Sequence, residues 1–361
     1  MTAKVLVVGA GAAGITAARL LLDRGIDVHV LEASDAHGGR VRKLDGFVDV
    51  PIDVGAEWVH RWISAEPTVL RRLLDRSDPD HRTFPYRPRT FSVWAAGRLW
   101  NLNLLRFLAH ADDDKFVESS WFDVLDGLVT ADVRERIRYD APVELVEYRD
   151  DGVRVTIRSG ETIEADRVIV TVPLTILQQG DIHFEPPLPA DKVRALKREQ
   201  MPGGLKVFIE MSERFYPDMV IVGNLFSRSS QGDCAYYDAM LGKPTERHVL
   251  ALFTQGGKAE RYLSHGSDEA VFEYVLAELD EIFDGRASRQ HVQHVVQNWS
   301  AEPFIRGSYS KRAGSAEEMA APVAGRVFFA GEAMNPNGKT VAVHGASESA
   351  ESAVAELLAA S

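Results

Sequence analysis

The chain has 361 residues, of which 45% are hydrophobic, and 41 Lys plus Arg stand against 53 Asp plus Glu, a net charge of -12. This length predicts about two domains with a sizeable core, and the acidic balance argues against nucleic acid as a partner. The single cysteine, Cys234, excludes an intramolecular disulfide. Because no apolar run approaches about 18 residues and only Met1, Thr2 and Ala3 precede the first strand, we expect neither a membrane span nor a signal peptide, and hence a cytoplasmic protein.

Residues 4–40 follow the order strand, glycine-rich turn, helix and second strand. An apolar run from Lys4 to Val8 leads into the turn, a helix is predicted to about Arg24, and a second strand runs from Asp27 to Leu31. The first glycine of the turn permits a tight bend, the second lets the backbone approach a pyrophosphate, and the third lets helix and strand pack closely, while N–H groups at the helix start face the phosphates. The residues predicted to contact a dinucleotide are Gly9, Gly11, Ala12, Ala13, Gly14, Glu32 and Ala33.

An acid and a second glycine turn decide which dinucleotide is bound. Glu32 is placed to accept hydrogen bonds from both ribose hydroxyls and to repel a 2′-phosphate, which predicts FAD or NAD rather than NADP. Gly38, Gly39 and Arg40 follow. Such a turn brings backbone and guanidinium onto the diphosphate of FAD, and an NAD dehydrogenase has no need of it. The sequence therefore favours FAD.

No linker divides the chain, so the two domains must be interleaved. Residues 142–173 form a small β-unit whose last run, Val168 to Val172, is apolar on both faces, as in a buried parallel strand that rejoins the nucleotide sheet. Arg326 to Ala330 is a second such strand, and a helix is predicted from about Gly345. We predict an α/β fold in which residues 1–58, 135–180 and 300–361 form a Rossmann-like FAD-binding domain, and residues 59–134 and 181–299 form an α+β substrate domain.

Six segments, counting the opening one, resemble in order the flavin-containing amine oxidases, a family of monoamine, polyamine and amino-acid oxidases and related histone demethylases. The other five are Asp53 to Trp58, Asp166 to Leu174, Phe184 to Pro189 with Lys206 and Arg214 to Pro217, Trp299 to Ser310, and Phe329 to Ala346. The resemblance implies an FAD-binding domain of the glutathione-reductase/amine-oxidase type. It also implies hydride transfer from the carbon beside a neutral amine to flavin N5, hydrolysis of the imine, and reoxidation by O2 with release of H2O2.

The resemblance further implies roles for particular residues. Lys206 would hold a water against flavin N5, Trp299 would flank the isoalloxazine, and Tyr309 would form one wall of an aromatic cage around the amine. The opposite wall falls at Ala342, which has no aromatic ring, so only one wall of the cage is expected to be aromatic. Ser308 replaces the cysteine that links FAD covalently in several monoamine oxidases, so FAD is expected to be non-covalent. Further cofactor contacts are implied at Gly55, Ala56, Glu57, Trp58, Val143, Thr171, Pro173, Gly331, Glu332, Val343, His344 and Ala346.

The substrate pocket is expected at Trp58 and His60, with Glu57 able to attract a second ammonium group. Only about eighty residues separate Trp58 from Val143, which predicts an abbreviated substrate domain, and residues 59–134 are expected to be largely helical. The expected partners are a small-molecule amine and O2. His291 and His294 have no third ligand nearby in the sequence, so no metal site is predicted.

Three alternatives remain open at this point. Arg61 could bind a substrate carboxylate, which would make the chain an L-amino-acid oxidase. An FAD-dependent desaturase of the same superfamily would be favoured if Lys206 proved dispensable. A catalytically silent FAD-binding protein would bind flavin without being reduced by any amine. The identity of the amine and the oligomeric state are not decided by the sequence.

Overall fold

The computed structural model describes residues 4–60, 79–104, 113–223, 234–311, 314–335 and 342–360. Numbered along the described chain, the strands are β1 Lys4–Val8, β2 Asp27–Leu31, β3 Lys43–Leu44, β4 Ile52–Asp53, β5 Val59–His60, β6 Thr83–Pro85, β7 Phe91–Ala95, β8 Arg98–Asn101, β9 Asp113–Phe116, β10 Ile137–Arg138, β11 Val143–Arg149, β12 Gly152–Ile157, β13 Thr162–Ala165, β14 Arg167–Val170, β15 His183–Glu185, β16 Gly204–Met211, β17 Met219–Val222, β18 Cys234–Asp238, β19 His248–Gln255, β20 His291–Asn298 and β21 Val327–Phe329. The α-helices are α1 Ala12–Leu22, α2 Trp121–Asp126, α3 Ala131–Arg136, α4 Leu174–Gln179, α5 Ala190–Arg198, α6 Gly257–Leu263, α7 Asp268–Ile282, α8 Arg286–Gln290, α9 Ala316–Ala320 and α10 Val343–Ala359.

A five-stranded parallel sheet in the order β10-β2-β1-β14-β21 forms the first layer. Its central strand, β1, pairs with β2 on one side and β14 on the other, and Val5 to Val8 are almost fully buried. Continuous apolar strands of this kind are what a sheet covered on both faces requires. The predicted strands of the opening unit are therefore confirmed, as is the return of the chain to this sheet at β14 and β21.

The glycine-rich turn joins β1 to α1 under tight steric limits. Gly9 has a φ of 103°, which favours glycine. A Cβ on Gly14 would lie 1.9 Å from the carbonyl oxygen of Gly9, whereas a Cβ on Gly11 would come no closer than 3.9 Å to another protein atom. Gly14 thus serves the packing of helix on strand, as predicted, and Gly11 leaves room beside the turn.

A seven-stranded sheet in the order β20-β16-β19-β18-β17-β7-β8 forms the second layer. Strand β16 is buried along its whole length and pairs antiparallel with β19 and β20. Helix α7 packs on one face of this sheet through Val271, Val275 and Leu279. The described residues form three smaller sheets as well, in the orders β13-β12-β11-β15, β5-β9-β6 and β3-β4.

Two expectations about organisation are corrected by the structure. The described part of residues 59–134 contains more strand, from β5 to β9, than helix, so the largely helical region that was expected is not found there. Helices α2 and α3 pack into the core of the five-stranded sheet, and α5 packs with α9 beside that sheet. Residues 121–134 and 190–198, which were assigned to the substrate domain, therefore pack with the nucleotide-binding unit. None of the described helices is long and apolar enough to cross a membrane.

We expect Gly14→Ala to lower the free energy of unfolding of the cofactor-free protein by about 1–3 kcal/mol, because the new methyl group overlaps the Gly9 carbonyl. Gly11→Ala is the matched control, since the space beside Gly11 is open. Urea unfolding followed by circular dichroism measures both variants. An equal loss in the two would show that the contact at Gly14 does not govern packing of this turn.

Candidate active site

One cavity of about 380 Å³ reaches from the glycine-rich turn to strand β16. Of the residues predicted to bind the cofactor or the substrate, those that line it are Gly9, Gly11, Ala12, Ala13, Glu32, Ala33, Gly39, Arg40, Gly55, Ala56, Glu57, Trp58, His60, Val143, Thr171, Pro173, Lys206, Trp299, Tyr309, Gly331, Glu332, Ala342, Val343 and Ala346. Two predicted contacts do not line it: Gly14 lies behind the turn, and His344 packs edge-on to His60 with ring centroids 6.5 Å apart.

The nucleotide end of the cavity is built from backbone donors and one carboxylate. The backbone N–H of Ala10 donates to Glu32 Oε2 at 2.6 Å, and the N–H and hydroxyl of Ser34 donate to Oε1 at 2.9 and 2.7 Å. These bonds fix the Glu32 carboxylate at the cavity wall. Helix α1 begins beside it with no side-chain cap, so its first N–H groups are available to an anion.

Arg40 connects the second glycine turn to the C-terminal segments. Its Nη1 donates to the carbonyl of Ser308 at 2.8 Å and to Glu332 Oε1 at 3.0 Å, and the hydroxyl of Ser310 donates to Glu332 Oε2 at 2.6 Å. Arg40 also lines the cavity. The arrangement fits a flavin dinucleotide, because a guanidinium, a fixed ribose-type carboxylate and open space at Gly11 stand along one wall.

At the other end of the cavity, Glu57 binds two buried lysines. Lys206 Nζ donates to Glu57 Oε2 at 2.7 Å and to the carbonyl of Asp53 at 3.2 Å, and Lys115 Nζ lies 2.6 Å from Glu57 Oε1. The hydroxyl of Tyr237 also donates to Oε2. Both carboxylate oxygens thus accept from protein groups, and the two lysine charges balance that of Glu57, which argues against the expectation that Glu57 attracts a second substrate ammonium.

The electrostatics of this cluster follow from burial and the lysine charges. Burial alone would raise the pKa of Glu57, but Lys115 and then Lys206 outweigh it and lower the pKa to about 2. Burial raises the pKa of nearby Asp53 well above its ordinary value, and the charge of Glu57 raises it further. The two lysines therefore favour the ionised form of Glu57, whereas burial and the charge of Glu57 oppose ionisation of Asp53.

Aromatic side chains form the wall next to this cluster. Trp299 is buried, and its indole N–H donates to the carbonyl of Val54 at 3.2 Å. Tyr309 lies parallel to Phe253, with ring centroids 6.5 Å apart and an interplanar angle of 5°. Phe253 was not among the predicted site residues, although its register opposite Lys206 places it at the same level of the sheet.

The remaining pocket residues sit near the start of α10. His60 Nδ1 lies 2.8 Å from Asp113 Oδ1, which orients the His60 ring. Ala342 is the residue before α10, and its side chain cannot form a capping hydrogen bond to the helix. Val343 and Ala346 in the first turn of α10 line the cavity, so the positive end of this helix lies beside it. Arg61, considered above as a carboxylate ligand, lies outside the described residues.

Residues 12–126 and 104–358 match the family model described as Flavin containing amine oxidoreductase. The match covers most of the chain, and the chain therefore belongs to this family. It also establishes the flavin as the cofactor class that the cavity is built to hold.

Curated relatives agree with the family assignment. Lysine-specific histone demethylase 2 of Homo sapiens is 27% identical over 422 positions, which cover 92% of this chain and 50% of that protein. Polyamine oxidase 3 of Oryza sativa subsp. japonica is 26% identical over 430 positions, covering 96% of this chain and 87% of that protein. The chain thus spans about half the length of the demethylases it matches. Because 430 aligned positions exceed the 361 residues of the chain, the rice protein has insertions that this chain lacks.

Two solved structures share the fold. Putrescine oxidase bound to putrescine has a TM-score of 0.78 and 19% identity, and the alignment covers 99% of each chain. Cyclohexylamine oxidase from Brevibacterium oxydans IH-35A has a TM-score of 0.78 and 17% identity, again with 99% of each chain covered. The predicted fold of the amine-oxidase type is confirmed.

The low pKa of Glu57 predicts a specific loss of stability in acid. A carboxyl whose pKa falls from 4.5 in the unfolded chain to about 2 in the folded protein contributes stability that is complete above pH 4.5 and is lost as the pH falls through 2, worth about 3 kcal/mol. We expect Glu57→Gln to flatten the decline of unfolding free energy between pH 5 and roughly pH 2.

Glu161→Gln is the control for this measurement. Hydrogen bonding to Arg138 lowers the pKa of Glu161, but this carboxyl is exposed to solvent and screened. Its replacement should leave the decline of unfolding free energy in acid nearly unchanged. If the curves of the Glu57→Gln variant and the unmodified protein run parallel across this pH window, the ion pairs of Glu57 do not set its pKa.

Proposed function

We propose that this chain is an FAD-dependent amine oxidase that holds FAD without a covalent bond and returns electrons to O2. The observation that carries the proposal is the buried Lys206, which lines the same cavity as the dinucleotide turn and the parallel rings of Tyr309 and Phe253. A buried cation is costly to keep without a purpose. A cytoplasmic location remains a prediction.

The side chains divide the work of binding and orientation. FAD, when bound, would supply the oxidation itself: it would accept a hydride from the carbon beside the amine and pass two electrons, with two protons, to O2 to give H2O2. Tyr309 and Phe253 offer ring faces against which an amine and its alkyl group pack. The apolar surroundings favour the neutral amine. Lys206 places a positive charge where negative charge develops on reduction.

Residue 308 supports non-covalent attachment. The Ser308 hydroxyl lines the cavity and donates to the carbonyl of Pro202 at 3.0 Å. A serine hydroxyl at this position is held by the protein backbone and is a poor nucleophile towards the flavin ring. We expect denatured, precipitated protein to release all of its yellow colour into the supernatant.

The charges along the cavity favour monoamines as substrates. Apart from Glu32 at the nucleotide end, every carboxylate that lines the described part of the cavity forms an ion pair with a lysine or arginine, so its charge is balanced and attracts a second ammonium only weakly. These carboxylates and their partners are Glu32 with Ala10 and Ser34, Glu57 with Lys115 and Lys206, Asp181 with Arg306, Glu302 with Arg42, and Glu332 with Arg40.

Anaerobic mixing with amines tests the proposal directly. We expect the visible band of the oxidised flavin to bleach with monoamines such as cyclohexylamine or benzylamine, more slowly with putrescine or spermidine, and not with amino acids. Bleaching by amino acids alone would favour the L-amino-acid oxidase alternative. Firm FAD binding without bleaching by any amine would favour a desaturase or a silent FAD-binding protein.

Lys206→Met tests the residue that carries the proposal. Removing one preorganised charge from a buried site should lower kcat/KM for the best amine by about 10²- to 10³-fold at unchanged FAD content. The exposed Lys197 on α5 provides the control, and Lys197→Met should retain full activity. Retention of activity in the Lys206→Met variant would favour the desaturase alternative.

A further inference from the structure

Lys115 occupies a complete ammonium-binding site made by the protein itself. Its Nζ lies 5.1–5.2 Å from the ring centroids of Trp58, Tyr86 and Tyr237. It also donates to the carbonyl of Ala239 at 3.1 Å and pairs with Glu57. Three ring faces, a carboxylate and a carbonyl are the groups that recognise alkylammonium ions. Only 1% of the Lys115 surface is exposed, so the whole ammonium group is enclosed.

This ammonium group is connected to the cavity through one side chain. Glu57 lines the cavity and binds Lys115 through Oε1 and Lys206 through Oε2. Two ammonium groups on one carboxylate give the three side chains a net charge of +1. Without Lys115, the charge of Lys206 would be cancelled by Glu57 at a distance of 2.7 Å, and this pair would carry no net charge.

We propose that Lys115 is a positioning residue that neutralises Glu57 from outside the cavity, so that Lys206 presents a net positive charge to the flavin site. Lys115 does not line the cavity and touches neither substrate nor flavin position. It acts through Glu57. The effect on the flavin rests on the proposed function, but the ammonium-binding site around Lys115 is a property of the protein alone.

A series of charge variants tests the consequence. Lys115→Met brings the net charge of the three side chains to zero, and the double variant Lys115→Met/Glu57→Gln returns it to +1. We expect the midpoint potential of bound flavin to fall in the Lys115→Met variant and the rate of its reoxidation by O2 to drop about tenfold or more. Both should recover substantially in the double variant.

The double variant separates charge from structure. If Lys115 served only to hold the fold together, removing a second member of the cluster would deepen the defect, and the potential would not recover. That result would overturn the proposal. Lys192→Met is the matched control, since Lys192 is another buried lysine, 4.0 Å from the ring centroid of Phe329, that lies outside this cluster. It should leave the flavin potential unchanged.

A second experiment probes the ammonium-binding site around Lys115 in protein without flavin. Lys115→Ala removes a propylammonium-sized fragment, and in cofactor-free protein an added amine cannot be oxidised. We expect propylammonium chloride to raise the Tm of the cofactor-free Lys115→Ala variant in a saturable way, and 1-propanol to have no such effect.

Lys192→Ala is the control for this rescue. The Lys192 ammonium contacts the carbonyls of Glu318 and Met319 and one aromatic ring. Its surroundings differ from those of Lys115 because no carboxylate of the described residues forms an ion pair with it. Equal shifts in the Tm of the two variants, or no shift in the Tm of the Lys115→Ala variant, would overturn the assignment of an ammonium-binding site around Lys115. Because this measurement needs no flavin, its outcome is independent of whether the chain oxidises amines.

Discussion

The ion pairs of Glu57 are the interaction on which the cavity wall depends. Glu57 follows β4, Lys115 lies on β9, Lys206 on β16 and Tyr237 on β18, so one carboxylate connects four separate segments. A single buried charge would be strongly unfavourable, and two cations on one anion remain stable here because each has further partners, namely backbone carbonyls and aromatic rings. The segments must therefore fold together for any of these charges to be buried.

The nucleotide end obeys a different constraint, which is steric. Gly9 and Gly14 let β1 and α1 approach closely enough that uncapped N–H groups reach the cavity, and Glu32 is fixed opposite them by short hydrogen bonds. Backbone geometry thus forms one half of the site and buried charge forms the other. The substrate region lies between them, where the rings of Tyr309 and Phe253 meet the start of α10.

The two solved structures that share the fold differ in the amine they are associated with. One is bound to putrescine, a diamine, and the other is named for a cyclic monoamine. In this chain the carboxylates beside the substrate region form ion pairs with protein cations, which is the basis of the proposed preference for monoamines.

The sequence by itself determined the opening β1-α1-β2 unit, the buried strands β14 and β21, and most of the residues that line the cavity, because glycine sterics and apolar runs are local properties. It did not reveal Lys115 or Phe253, nor the two lysine partners of Glu57. A lysine in the short run Asp113–Phe116 reads as a surface charge, and a carboxylate has no visible partner until distant strands pair. Only the tertiary structure brings both lysines onto one carboxylate, because burial and charge pairing are set by contacts between segments far apart in the chain.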